Sequence, residues 1–201
     1  KYEIIVVDDA STDCTLNSLI KFAKKSSILI LQNSRQEKFK SSKKSALEMG
    51  IEKSKGDILL LTDADCLPPP HWISAVIKQF DPSTGLVAGF SPQRSDKNWL
   101  DAILKIDAAA AAIVSAATIG YGRGITCAGR NLAYRKQAWL DVGGFSGLPD
   151  TLSGDDDFML QAISNHSVWE VKYIFEHDSV VHAHGPASIT GFLAQKQRHI
   201  S

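Results

Sequence analysis

The 201-residue chain reads as an α/β protein with a mostly parallel, doubly wound sheet and helices on both of its faces. Three observations predict this. Short apolar runs such as Ile58-Leu59-Leu60-Leu61 have the character of strands buried on both sides. They alternate with helical patterns through three successive βα steps in the first half. Two of the runs end at once in carboxylates, Asp8-Asp9 and Asp63-Ala64-Asp65. In open α/β sheets, that carboxyl edge is where ligands bind.

Taken in order, Glu3 to Val7 is the first strand. Ser11 or Thr12 then caps a helix to about Lys25, with Asp13 complementing its dipole. Ile28 to Leu31 is a short strand, and a helix from about Lys43 to Lys53 carries Ala46, Leu47 and Ile51 on its apolar face. Ile58 to Thr62 is the next strand, Pro68-Pro69-Pro70 introduces a helix with Trp72, Val76 and Phe80, and Leu86 to Phe90 is a further strand. The second half is less regular. A long helix covers Trp99 to Ala117, Asn131 to Tyr134 is a strand, and Lys136 to Val142 is a short helix stopped by Gly143-Gly144. Asp155 to Ser164 is a helix opened by acids. Trp169 to Ile174 and Ser179 to His182 are expected to pair as a hairpin across Glu176-His177, and Ser188 caps a final helix. No repeat or low-complexity linker interrupts the chain, so one domain is expected over 1–201, with halves 1–95 and 96–201.

Hydrophobic residues make up 44% and charged residues 22%, which suits a soluble globular chain. Lys plus Arg equals Asp plus Glu at 22 each, so net charge gives no case for nucleic acid. Locally, Arg35, Lys38, Lys40, Lys43 and Lys44 form a basic stretch. Cys14, Cys66 and Cys127 are scattered without a CxxC, as expected of reduced cytosolic thiols, with Cys66 a packing residue. No signal peptide is visible. The longest apolar stretch, Ala108 to Ile119, falls short of the roughly 20 residues of a membrane span. The chain opens on a strand and stops in a charged helix, as a piece of a larger protein would.

Asp63 and Asp65, one residue apart, can share a divalent cation; Mg²⁺ or Mn²⁺ suits such oxygen donors and arrives with substrate phosphates. The bare tripeptide is more often a solvated turn. Asp8 or Asp9 can accept hydrogen bonds from a nucleobase or ribose, or simply precede a helix cap. With Lys43 as a point charge for phosphates, these acids fit a nucleoside diphosphate. Asp155, Asp156 and Asp157 repel one another, which raises at least one pKa, and a helix N-terminus tolerates them. One of them can serve as a general base. Gln195, Arg198 and His199 share a helical face that can clamp a diphosphate, although a basic surface helix is the commoner case. His182 and His184 flank Ala183, and His184 is a candidate third metal ligand, set against the usual structural role of a lone histidine.

These residues together resemble the inverting glycosyltransferases of family 2, which have the GT-A fold. Val7-Asp8-Asp9-Ala10-Ser11-Thr12-Asp13 looks like VDDxSxD, and Lys43-Lys44-Ser45-Ala46-Leu47 like GKxxAL with Ser42 for the glycine. Thr62-Asp63-Ala64-Asp65 is the TDAD form of DxD. The segment from Cys127 to Arg135, followed by Val142-Gly143-Gly144-Phe145, resembles the stretch that shapes the acceptor site. Ser153-Gly154-Asp155-Asp156 stands in the place of the ED motif, and Gln195 to His199 resembles QxxRW with His for Trp, a change that argues against processive synthesis.

The resemblance implies a metal-dependent transfer from a UDP- or GDP-linked sugar to an acceptor hydroxyl on a saccharide or lipid-linked acceptor. The half 1–95 would bind nucleotide-sugar and 96–201 would bind acceptor and catalyse. Asp8 or Asp9 would hold base and ribose, with Lys43 nearby. Asp65, assisted by Asp63, would hold Mg²⁺ or Mn²⁺. Asp156, with Asp155 as second choice, would be the base, and Gln195 and Arg198 would close over the diphosphate. It also implies that the family's first strand, normally before Tyr2, is absent from the chain. The full-length protein would sit on the cytoplasmic membrane face through segments outside this soluble chain. The rival expectations are a non-catalytic nucleotide-sugar-binding fragment and a receiver-like domain phosphorylated at Asp63.

Overall fold

The computed structural model describes residues 1–33, 39–95 and 98–200, with the side chains of Asn98 and of residues 198–200 outside that description. Arg35 and Lys38 of the basic stretch lie outside the described residues. Along the chain run β1 (Ile4–Asp8), α1 (Thr15–Ala23), β2 (Ile28–Gln32), α2 (Ser42–Lys53), β3 (Ile58–Leu61), β4 (Cys66–Leu67), α3 (Trp72–Ile77) and β5 (Thr84–Gly89). There follow β6 (Gln93–Arg94), α4 (Asn98–Gly120), β7 (Leu132–Arg135), α5 (Lys136–Asp141), α6 (Asp155–Ser164), β8 (Glu170–Ile174), β9 (His182–His184) and α7 (Ile189–Ile200). The α/β class is as expected.

Strand direction is more mixed than the apolar runs imply. β1 pairs with β2 in parallel as a two-stranded sheet. The central sheet has the order β3-β7-β5-β8, with β7 antiparallel to both neighbours and β5 parallel to β8. A third, small sheet has the order β4-β9-β6. An apolar strand buried on both faces has the same composition in either direction, so its sequence cannot reveal the sense of pairing.

The expected hairpin does not form. Its intended turn is instead a 3₁₀ turn, His177–Ser179, locked by reciprocal bonds: the Glu176 N–H donates to Ser179 Oγ at 3.2 Å, and that hydroxyl donates to the Glu176 carbonyl at 2.7 Å. The chain is thereby led away from β8, and β9 pairs with β4 and β6. The first helix also starts later than expected, at Thr15, whose N–H donates to Asp13 Oδ1 at 2.9 Å.

Alternation along the central strands divides the core into two layers. Leu86, Ala88, Leu132 and Tyr134 face one cluster with Ile51, Trp139, Phe145, Met159 and Leu160. The intervening Val87 and Ala133 face the other, with Trp72, Val76, Ile174 and Val181. Period-two side-chain placement requires this when both faces are covered. α4 is longer than its uninterrupted apolar stretch suggests. Over Trp99–Gly120 it is long and apolar enough to cross a membrane, yet it is mostly exposed.

Asn131, fully enclosed, ties the layers together. Its amide N–H groups donate to the carbonyls of Phe90 and Ser179, each at 2.8 Å, and its Oδ1 accepts from Trp72 Nε1 at 2.9 Å. A Cβ at Gly89 would fall on that amide, so only glycine fits the neighbouring strand. Removing the amide leaves the Trp72 indole N–H and the Ser179 carbonyl without a partner, while the Phe90 carbonyl keeps the Val181 N–H at 3.2 Å. Asn131→Ala is therefore expected to lower the unfolding free energy by about 3 kcal/mol, measured by chemical denaturation.

Candidate active site

Residues from both halves line one cleft. The end of β3 contributes Thr62 and Asp63, the first turn of α2 contributes Lys43, and the first turn of α6 contributes Asp155 and Asp156. Leu132, Tyr134, Phe145 and Met159 form its apolar floor. Local chemistry explains each placement. Ser41 caps α2, its Oγ accepting from the Lys44 N–H at 3.4 Å, and so presents Lys43 outward. Lys43 Nζ reaches Asp63 Oδ1 at 3.4 Å.

Lys44 is buried instead, donating to the Pro149 carbonyl at 2.8 Å and to Thr151 Oγ1 at 3.3 Å. It anchors the loop that leads into α6. Gly154 then takes a left-handed φ of 84°, a conformation that favours glycine, and the helix begins.

The three adjacent carboxylates are held by backbone donors. Gly129 N–H donates to Asp156 Oδ2 at 2.8 Å, and Cys127 N–H to Asp157 Oδ1 at 2.9 Å. A Cβ on Gly129 would come within 2.7 Å of Asp156 Oδ2, so this approach requires glycine. Burial, reinforced by Asp157 and Asp155 and opposed by Lys43, pushes Asp156 up to about 6. Burial works against the charge on Lys43, but Asp63, Asp155 and Asp156 outweigh it and raise its pKa. Lys43 therefore stays a cation, while Asp156 changes charge near neutrality.

Asp63, Asp65 and Cys66 bring donor atoms within 4.8 Å of one another. Burial raises the Cys66 thiol, and a thiolate is a soft donor that a hard cation does not seek. The two carboxylates remain, a donor set that fits a hard cation such as Mg²⁺ or Mn²⁺ rather than zinc. Asp65 is exposed and does not line the cleft itself. His184 is exposed at the end of β9, next to the Ala183 that pairs with Cys66, and it is not part of that donor group among the described residues.

Other expected residues lie outside the cleft lining. Asp8 is buried, with Oδ2 accepting from the Ser11 N–H at 3.4 Å and Oδ1 unpaired. Asp9 accepts from Asn33 Nδ2 at 2.7 Å. Between them and Ser11, Ala10 has a φ of 54°, which costs a non-glycine residue about 1–3 kcal/mol and often marks a ligand-binding turn. Gln195 is half-buried on α7, which an ion pair from Lys196 to Asp107 at 2.7 Å fastens to α4. The Arg198 side chain lies outside the described residues.

Sequence reasoning placed Lys44, Cys127, Gly129 and Tyr134 in its motifs but missed what they do: the Gly129 and Cys127 amides as donors, Lys44 as an anchor and Tyr134 in the cleft floor. The Tyr134 hydroxyl is buried without a partner in the cleft floor, its pKa raised by burial and by Asp155. No side-chain pattern announces a backbone donor, although a glycine two residues before a buried asparagine was visible.

Residues 1–139 match the description of glycosyl transferase family 2. The chain belongs to that family. The receiver-like reading of Asp63 is thereby displaced. Among curated relatives, the family 2 chain is 26% identical over 104 residues to an undecaprenyl-phosphate 4-deoxy-4-formamido-L-arabinose transferase of Pseudomonas syringae pv. syringae (strain B728a), covering 49% of this chain and 29% of that protein. It is 27% identical over 100 residues to a dolichol-phosphate mannosyltransferase of Pyrococcus furiosus, covering 49% and 27%. The matches thus span less than a third of those relatives.

Among solved structures, a mannosyltransferase from Pyrobaculum calidifontis in complex with GDP-Man and Mn²⁺ superposes with a TM-score of 0.72 at 22% identity, covering 98% of this chain and 51% of that one. GalNAc-T7 with UDP, GalNAc and Mn²⁺ gives 0.63 at 14%, covering 92% and 38%. These likenesses establish the GT-A fold.

The Asp156 shift has a consequence for stability. Its folded pKa, about 6, lies above the unfolded value of about 3.9. Stability is therefore fully present at low pH and is lost as pH rises through about 6. Asp156→Asn escapes that loss. By thermal melting, the variant is expected to exceed the wild type at pH near 7.5 by about 2 °C or more, with the gap closing toward pH 4.

Proposed function

We propose that the family 2 chain transfers a sugar, with inversion, from a nucleoside-diphosphate sugar to an acceptor hydroxyl, and that Asp156 is the general base. The convergence of Asp63, Lys43 and Asp156 in one cleft carries this reading. Asp156 has one oxygen held by the Gly129 N–H, which orients the carboxylate without consuming the other oxygen. A base with a pKa of about 6 is mostly ionised at neutral pH yet retains affinity for a proton, the compromise that general-base catalysis needs.

In the proposed step, the acceptor hydroxyl loses its proton to Asp156 as its oxygen bonds to the anomeric carbon. The bond from that carbon to the diphosphate oxygen breaks on the opposite face, and the diphosphate leaves with the electron pair. Lys43 is placed to meet the phosphate charge. Asp8 and Asp9 are assigned to base and ribose, the unpaired Asp8 Oδ1 offering an acceptor. Asp63 and Asp65 would hold Mg²⁺ or Mn²⁺, which when bound neutralises charge on the leaving diphosphate. Asp155, 8% exposed, sits deeper and is assigned to tuning Asp156 through repulsion.

The donor is assigned to the UDP or GDP class, since the structural relatives are named for GDP-Man or UDP. The curated relatives are named for undecaprenyl-phosphate and dolichol-phosphate, and a lipid-linked acceptor is assigned on that ground. Within that class the cleft favours an acceptor hydroxyl over a bare phosphate, because its wall presents carboxylates and a hydroxyl has a proton for Asp156 to take.

Asp156→Asn in the full-length protein is expected to lower kcat by about 100-fold or more while nucleotide affinity stays near wild type by calorimetry. A wild-type rate would remove Asp156 from the base role. Asp63→Asn and Asp65→Asn are each expected to weaken UDP or GDP binding in Mn²⁺ by about tenfold and to leave metal-free binding unchanged. Equal binding in both conditions would move the metal elsewhere.

A further inference from the structure

Among the described residues, α4 carries a long exposed apolar face. Its buried side packs Leu100, Leu104, Ser115 and Ile119 into the protein. The opposite side presents Ile103, Ile106, Ile113 and Val114, exposed at 36%, 71%, 68% and 48%, with alanines filling the positions between them. At 100° per residue these fall on one continuous stripe. Trp99 stands at one end and Tyr121, 90% exposed, just past the other, about 33 Å apart at 1.5 Å per residue. The stripe itself carries no charge. The acid that borders it, Asp107, is paired with Lys196 at 2.7 Å.

We infer that this face of α4 lies in the interfacial layer of a lipid bilayer, parallel to its plane. The helix is long and apolar enough to cross a membrane, but Leu100, Leu104 and Ile119 commit its other side to the core, so it cannot cross without unfolding the domain. A half-buried helix with an uncharged outer stripe is suited to resting at the boundary of headgroups and acyl chains. Aromatic residues at both ends are the side chains that settle at that depth. A second copy of the chain could also cover an apolar stripe, but two features favour lipid. The first is chemistry: the stripe is aliphatic and uncharged along its length, and the bordering Asp107 is already paired with Lys196.

The second feature is position. Residues 122–129 leave the end of α4 and run back along α6. Gly124 N–H donates to Ser164 Oγ at 3.0 Å, Gln161 Nε2 to the Ile125 carbonyl at 2.8 Å, and Gly129 N–H to Asp156 Oδ2 at 2.8 Å. From Ser164 to Asp156 is eight residues of helix, about 12 Å. The stripe therefore ends roughly that far from the proposed base, within reach of an acceptor head whose lipid tail stays in the bilayer. The inference rests on the proposed lipid-linked acceptor for its purpose, whereas lipid contact is measured without donor or acceptor.

The test is flotation of the 201-residue chain with neutral phosphatidylcholine vesicles in a density gradient, at low salt and at about 0.5 M, where charge attraction is screened. The expected result is co-flotation at both salts, with a blue shift in tryptophan emission that Trp99→Phe abolishes. The double variant Ile106→Glu with Ile113→Glu changes only exposed side chains. It is expected to lower the floated fraction by about tenfold with melting temperature and UDP or GDP binding unchanged. The inference is overturned if the wild type stays at the bottom of the gradient, or if the double variant floats equally. It is also overturned if the wild type sediments as a dimer that Ile113→Glu splits, which would give the face to a second copy. Loss of nucleotide binding or transfer with flotation intact would count against the proposed reaction and leave the lipid contact standing.

Discussion

Three carboxylates in succession at the start of a helix repel one another, and the site depends on how that repulsion is contained. The dipole of α6 favours negative charge at its N-terminus, but the decisive contribution is geometric. The segment after α4 lays two backbone N–H groups against Asp156 and Asp157. Hydrogen bonds to a charged acceptor are the strong ones, and backbone donors do not titrate. Containment is deliberately incomplete at Asp156. Burial and its two neighbours still raise it to about 6, and a carboxylate left partly unsatisfied is one that can accept a proton.

The mixed sheet makes that containment possible. Gly129–Asn131 form a 3₁₀ turn directly before β7, and β7 lies antiparallel between β3 and β5. That insertion puts Gly129 beside the end of β3, which bears Asp63, and across from the start of α6. Asn131, two residues on, bonds to α3, to the end of β5 and to the turn before β9. One short stretch of chain thus carries both the donor that orients the proposed base and the clamp that fixes the layers. Lys44 plays the matching part from the other half, holding the loop before α6 to α2. A buried ammonium is costly unless its donors are met, and here two oxygens meet it.

The elements were largely legible because their signals are local: α6 begins and ends at Asp155 and Ser164 as the acids and periodicity suggest, and Ser188 does cap α7, with its Oγ accepting from the Gly191 N–H. Part of the candidate cleft was legible through side chains, since Asp63 at a strand end and Asp155-Asp156 at a helix start are visible as letters. What stayed hidden was decided by tertiary pairing. The direction of β7, the fate of the Ser179 to His182 run and the burial of Lys44 but not Lys43 all depend on what lies opposite. Adjacent lysines on a helix differ by 100° in direction, and only the fold says which points inward. The exposed length of α4 was hidden for another reason: counting unbroken apolar residues stops at Asp107 and overlooks the face that continues past it.

Charge inside the cleft argues for a cation in its working state. Asp63, Asp155 and Asp156 face Lys43, the one cationic side chain among the described residues that line the cleft. Fully ionised, that set carries an excess of negative charge before any substrate enters, and a diphosphate would add more. Coulomb repulsion at such short range, in a partly dry cleft, is worth several kcal/mol. Something must offset it. Protonating Asp156 would do so, but a protonated Asp156 cannot take the acceptor's proton. In the proposed reaction, a divalent cation on the Asp63 and Asp65 oxygens would resolve the conflict, since it would offset charge where the phosphates would lie and leave Asp156 free. The two acidic clusters are separate, one at a strand end and one at a helix start, and that separation would let both proposed tasks share one cleft.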